Sequence, residues 1–136
     1  MLKVIGASAL LVSIATTGVA QDIASGEKIM RKCKACHTVS NGDEVLFKGG
    51  KTGPNLFGVV GQAAAGVDGY KYSKSMIAAR EAGLVWDEDN LAAYLQDPSK
   101  FLKEYLDDSG AKSKMSLKLR KGMEDVIAYL GSFAES

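Results

Sequence analysis

The run Cys33-Lys34-Ala35-Cys36-His37 decides how the rest of the chain is read. On helical backbone, residues three and four apart share a face, so Cys33, Cys36 and His37 present two thiols and one imidazole to the same side. The 136 residues contain only these 2 cysteines and this 1 histidine. A Cys/His zinc cluster needs about four such ligands and is excluded. A formal charge of +1, from 17 Lys and Arg against 16 Asp and Glu, gives no overall attraction for nucleic acid. A hydrophobic content of 46% is too high for a disordered chain, and the length suits one ordinary domain.

Upstream of this run, Ile23, Gly26, Ile29, Met30 and Cys33 recur at helical spacing, which predicts a helix from about residue 24 into the 33–36 region. The small Gly26 invites close approach by another helix. Residues 1–20 read differently: a positive start at Lys3, an apolar stretch and the small residues Gly18-Val19-Ala20 make a secretory signal peptide, cleaved before Gln21. Its apolar part is well short of the roughly 20 residues that span a bilayer, so no permanent membrane anchor is expected. The functional domain is then residues 21–136, in which basic and acidic residues balance.

Downstream, residues 38–72 are rich in glycine without a sustained period and read as loops. A short helix is expected over residues 74–82, stopped by Gly83. Asp87 is a good N-cap for a helix burying Leu91, Tyr94 and Leu95; Asp97-Pro98 ends it and begins another carrying Phe101, Leu102 and Tyr105. Met123, Val126, Ile127, Leu130 and Phe133 form one apolar stripe on a last helix. No strand-like alternation of useful length is present, so the class is all-α. A loop region of this length inside a small domain implies that the chain wraps a bound group, whose apolar surface the loops cannot supply to one another.

Cys-x-x-Cys-His is the attachment pattern of a c-type haem: the thiols form thioethers with the vinyl groups and the imidazole reaches the iron. The competing reading is a thioredoxin-like redox pair of Cys33 and Cys36, which leaves His37 unexplained and lacks a βαβ setting. A ligating histidine donates its second ring N–H to an acceptor, and the rigid turn Thr52-Gly53-Pro54-Asn55 is a plausible source of a carbonyl, although an ordinary surface turn has the same spacing. With no second histidine, the sixth iron position is open or filled by another residue type, and methionine is the obvious candidate. Met30 and Met123 lie on packed helix faces and Met76 sits in a short helix. Met115 stands in the polar run Lys112-Ser113-Lys114-Met115-Ser116, where an iron bond or simple solvation accounts for it. Two neutral ligands and burial together favour the reduced iron and a high potential.

The order of Cys33-Lys34-Ala35-Cys36-His37, Lys51-Thr52-Gly53-Pro54-Asn55-Leu56, Gly69-Tyr70-Lys71-Tyr72, Trp86, Tyr94-Leu95-Gln96-Asp97-Pro98, Lys112-Ser113-Lys114-Met115 and Ala128-Tyr129-Leu130 resembles the class I cytochromes c along essentially the whole domain. The likeness is greatest to the bacterial cytochrome c2 branch and its relative cytochrome c550. The resemblance implies about five helices and long loops around one covalent haem c with its iron, held through Cys33 and Cys36. It implies His37 and Met115 as axial ligands and Pro54 as the carbonyl behind His37. Tyr72 and Trp86 would reach a haem propionate, Tyr94 would lie beside the methionine sulfur, and Gly26 would pack on the last helix near Tyr129. The chain departs from the common pattern at Gln62, where many relatives have arginine, and at Met76, where relatives often place a polar residue. The implied role is a periplasmic, monomeric electron carrier rather than an enzyme. Its donor would be a cytochrome bc1 complex and its acceptor a photosynthetic reaction centre or a terminal oxidase.

Charge is unevenly spread. Residues 31–51 and 98–121, which hold the two ligand candidates, carry +3 and +4, whereas residues 80–97 and 122–136 carry −4 and −3. Lys34, Lys48, Lys51 and Lys103, with Lys112, Lys114, Lys118 and Lys121, are expected to ring an exposed haem edge and steer acidic partners. The alternative is that these lysines solvate helix faces.

Overall fold

The computed structural model describes residues 22–133; the expected leader, residues 1–20, lies outside the described residues. Asp22 opens helix α1 (Ile23–Met30), its side chain accepting the Ser25 N–H and so satisfying a donor that a helix start leaves without a partner. The Asp22 backbone N–H donates to Oδ1 of Asp125 at 2.9 Å. That bond ties the first helix to the last, α5 (Met123–Ser132). At Gly26 a Cβ would overlap the Asp125 carbonyl oxygen and lie 2.8 Å from Cβ of Tyr129. The two helices therefore meet backbone to backbone, as the resemblance implied, and Met30, Val126 and Leu130 are buried in the cluster beneath them.

The helix expected to run on to the cysteines ends at Met30. A tighter turn follows, with Cys33 N–H donating to Met30 O at 2.8 Å and His37 N–H to Cys33 O at 2.9 Å. The carbonyls that another helical turn would use are taken by loop amides instead: Gly50 N–H donates to Lys34 O at 2.8 Å and Gly53 N–H to Cys36 O at 2.7 Å. Cys36 N–H and His37 N–H both donate to Cys33 O, at 3.1 and 2.9 Å, so the three residues still share one turn and line one cavity.

Residues 38–72 hold one element the sequence reading missed. Strands β1 (Val39–Asn41) and β2 (Glu44–Phe47) pair antiparallel, Asn41 opposite Glu44, with a register shift between Val39 and Ser40. Gly42 supplies the positive φ, +60°, that a two-residue type II′ turn requires at its first position. Asn55 pins the hairpin, accepting Ser40 N–H at 3.0 Å and donating to Ser40 O at 2.8 Å.

The remaining helices start where polar caps predict. Ser73 caps α2 (Lys74–Glu81), Asp87 caps α3 (Glu88–Gln96) in a reciprocal box with Asn90, and Asp97 caps α4 (Pro98–Leu106), whose proline occupies the first turn. They bury Met76, Leu84, Trp86, Leu91, Tyr94 and Leu102 in one cluster with Ile127 of α5. Helix α5 thus serves both clusters, through Ile127 on one and Val126 and Leu130 on the other. Among the described residues no helix is long and apolar enough to cross a membrane.

Candidate functional site

A cavity of about 530 Å³ opens between the α1 turn, the loops of residues 52–73 and the Met115 segment. Cys33, Cys36, His37, Pro54, Tyr72, Trp86, Tyr94 and Met115 all line it, so every cofactor-related residue singled out in the sequence is brought to one place. Apolar side chains of Leu56, Val59, Leu91, Leu95, Ile127 and Leu130 complete the walls.

On one side, His37 is 8% exposed and its Nδ1–H donates to the Pro54 carbonyl oxygen at 2.8 Å. This bond fixes the tautomer and leaves Nε2 as the nitrogen with a free lone pair. Burial holds the imidazole below its usual pKa, against the smaller raising effect of the Pro54 carbonyl, so the ring is neutral at ordinary pH. Behind it, a Cβ on Gly53 would stand 2.7 Å from Nδ1, which shows how closely the loop is laid against the ring. Cys33 is buried and its thiol pKa is raised, first by that burial and then by neighbouring Cys36, which is exposed.

The aromatic wall is built by Trp86, just before α3, and Tyr94 on α3, backed by Phe101 of α4. The Trp86 and Tyr94 rings lie 4.9 Å apart at 56°, and Phe101 meets Tyr94 edge-on at 5.8 Å. Such tilted and edge-on contacts suit the ring quadrupoles and hold the aromatic groups rigid. The Tyr94 and Ser113 hydroxyls are 2.7 Å apart, which links the wall to the Met115 segment. Burial raises the Tyr94 pKa, more than its Ser113 bond lowers it. Towards the other loop, the Tyr72 hydroxyl oxygen accepts Val67 N–H at 3.0 Å and keeps its own proton for a further acceptor. Gln62 and Met76, the two departures from the common pattern, both line the cavity.

The lysines divide. Lys114 reaches the cavity, its Nζ donating to Lys71 O at 2.5 Å and standing 6.0 Å from the centre of the Tyr70 ring. Lys34, Lys48, Lys51, Lys103, Lys112, Lys118 and Lys121 are exposed but do not line it. Lys118 is also paired with Asp97 at 3.2 Å. Lys32 and Lys71, which the sequence reading did not select, do line the cavity. Their positions, one next to Cys33 and one between Tyr70 and Tyr72, were the available signal.

These residues fit a covalent haem. Two thiols and an imidazole with one available nitrogen come from a single turn, a methionine lines the same space, and the walls are apolar with a few polar groups, as ligand sites of this size are.

No family model matches the chain. It is 55% identical over 116 residues to cytochrome c-551 of Roseobacter denitrificans, covering 85% of this chain and 83% of that protein. It is 49% identical to cytochrome c2 of Rhodobacter capsulatus, with 88% of each chain covered. Among solved structures, cytochrome c2 isolated from Paracoccus denitrificans superposes with a TM-score of 0.82 at 43% identity, over 85% of this chain and 98% of that one. With five helices among the described residues closed around a cavity that gathers Cys33, Cys36 and His37, the chain belongs to the cytochrome c2 and c-550 branch of the class I cytochromes c, electron-transfer proteins that carry one covalent haem c.

Proposed function

We propose that this protein is a periplasmic carrier of single electrons, exported by the leader at residues 1–20 and acting as a monomer. Bound haem supplies a reversible ferric/ferrous couple. Cys33 and Cys36 hold it by thioethers, His37 offers Nε2 to the iron, and Met115 offers its sulfur. Pro54 keeps the imidazole oriented through the 2.8 Å bond to Nδ1–H. Tyr72, with its proton unused by Val67, and Trp86 serve the propionates. Tyr94 holds the Met115 segment through Ser113. The observation that carries the reading is that His37, its other nitrogen engaged, and Met115 line one cavity with both cysteines. Two protein ligands leave no vacant position for oxygen or peroxide, so outer-sphere transfer is the remaining chemistry.

The electron donor in this reading is a cytochrome bc1 complex, and the acceptor a photosynthetic reaction centre or a terminal oxidase. Lys32, Lys71 and Lys114 at the cavity, with the other exposed lysines, supply the steering charge. The test is the visible spectrum of the exported protein, oxidised and then reduced with dithionite. A low-spin c-type spectrum with the weak red-edge band of sulfur bound to ferric iron is expected. A high-spin spectrum without that band overturns Met115 as ligand and turns the site towards sensing or peroxide chemistry; a colourless protein with titratable thiols overturns the haem assignment.

A further inference from the structure

The segment that carries Met115 has no helix or strand of its own, yet hydroxyls on two helices accept its amides and a hydroxyl on a third meets the side chain of its Ser113. Lys112 N–H donates to Oγ of Ser75 on α2 at 3.0 Å, and Ser113 N–H donates to Oγ of Ser99 on α4 at 3.0 Å. Met115 N–H donates to Oγ of Ser113 at 3.0 Å, and that oxygen lies 2.7 Å from the hydroxyl of Tyr94 on α3. Three of the four amides from 112 to 115 are therefore held by side-chain oxygens. In an irregular segment those amides would otherwise turn to water, and the chain would be free to swing outward.

A thioether is a neutral ligand with no charge attraction to ferric iron, so the residence of its sulfur depends on how firmly the backbone presents it. We infer that Ser75, Ser99 and Ser113 are positioning residues that clip the segment to α2, α4 and α3 and set how often the sixth iron position opens. The inference rests on the reading of Met115 as axial ligand. Opening requires the segment to move away from all three helices, so each clip opposes it independently of the iron–sulfur bond itself.

The experiment is the binding of exogenous imidazole to the ferric holoprotein, followed by loss of the red-edge band at saturating imidazole, where release of Met115 sets the rate. Ser99→Ala and Ser113→Ala are each expected to accelerate binding by roughly 3- to 10-fold, the factor that one lost hydrogen bond gives. Ser99→Thr, which keeps the acceptor oxygen, restores the wild-type rate. Ser132→Ala removes a hydroxyl that donates to Tyr129 O at 2.6 Å on α5, away from the segment, and leaves the rate unchanged. Wild-type rates in Ser75→Ala, Ser99→Ala and Ser113→Ala, or equal acceleration by Ser132→Ala, overturn the clip while the band leaves Met115 ligation intact. Absence of the band in the wild-type protein overturns the ligand reading and the clip with it. If Ser113→Ala does not assemble, Ser75→Ala and Ser99→Ala decide the matter alone.

Discussion

The imidazole of His37 and the carbonyl of Pro54 meet at 2.8 Å across 17 residues of chain, and Gly53, the residue before Pro54, lies against the ring. A methyl group at Gly53 would enter the space of the imidazole. Gly53→Ala is therefore expected to destabilise the holoprotein by about 1–3 kcal/mol, as overfilled sites do, and to shift the midpoint potential by tilting His37. Denaturant unfolding and redox titration of the variant measure the two effects.

At the other close approach, Gly26→Ala pushes α1 and α5 apart, since its Cβ would overlap the Asp125 carbonyl oxygen. A loss of about 1–3 kcal/mol is expected here too, read as a lowered melting temperature. The spectrum of the surviving native fraction stays that of the wild type, because the seam is not part of the cavity wall at Gly26.

Removal of the cofactor has a different outcome. Both buried clusters border a cavity of about 530 Å³, through Trp86, Leu91 and Tyr94 on one side and Cys33, Val126 and Leu130 on the other. A chain with Cys33→Ala and Cys36→Ala, prepared without haem, loses the surface that joins them. Far-ultraviolet circular dichroism is expected to show most of the helix signal gone under conditions where the holoprotein is folded.

Electrostatic steering is tested by rate against ionic strength with an acidic redox partner. Exposed charges are largely screened beyond about 10 Å at 0.1 M salt, so the bimolecular rate should fall as salt is raised through that range. Lys114→Gln, at the cavity, slows transfer more than Lys118→Gln, whose ammonium already faces Asp97 at 3.2 Å. Equal slowing by both variants would count against a haem-edge docking surface.

Asp97 gives the acid limb of stability a specific contributor. Its pKa is lowered, first by the Lys100 backbone N–H and also by Lys118. A carboxyl with a lower folded than unfolded value stabilises the fold above the unfolded value of 3.8, and that contribution disappears as pH falls through the folded one. Asp97→Asn keeps the helix cap and removes the titration, so the melting temperatures of variant and wild type should differ at pH 6 and converge as pH falls through the lowered folded value.

The helices were legible because their signals are local. Asp87 and Asp97-Pro98 announce starts, and the stripe from Met123 to Leu130 repeats at 3.6 residues. The hairpin was not, because strands of 3 and 4 residues with an irregular register leave almost no alternation to detect. The helix into Cys36 was read too long because the amides that take its carbonyls come from Gly50 and Gly53, far along the chain. The cavity lining was recoverable from motif order, since Cys33, His37, Pro54 and Met115 each stand in a recognisable run. Lys32 and Lys71 were passed over because a lysine's relation to a cavity depends on tertiary folding, which charge counting along the chain does not report.

The bond from Asp22 N–H to Asp125 joins residues 103 positions apart, and Gly26 seals the same contact. A chain emerging from its N-terminus therefore cannot form this seam until Asp125 has been delivered. Every shorter length has α1 without its partner, an eight-residue helix too short to persist alone in water. Until then the turn that carries Cys33 and Cys36 is not tied to α5 through this seam.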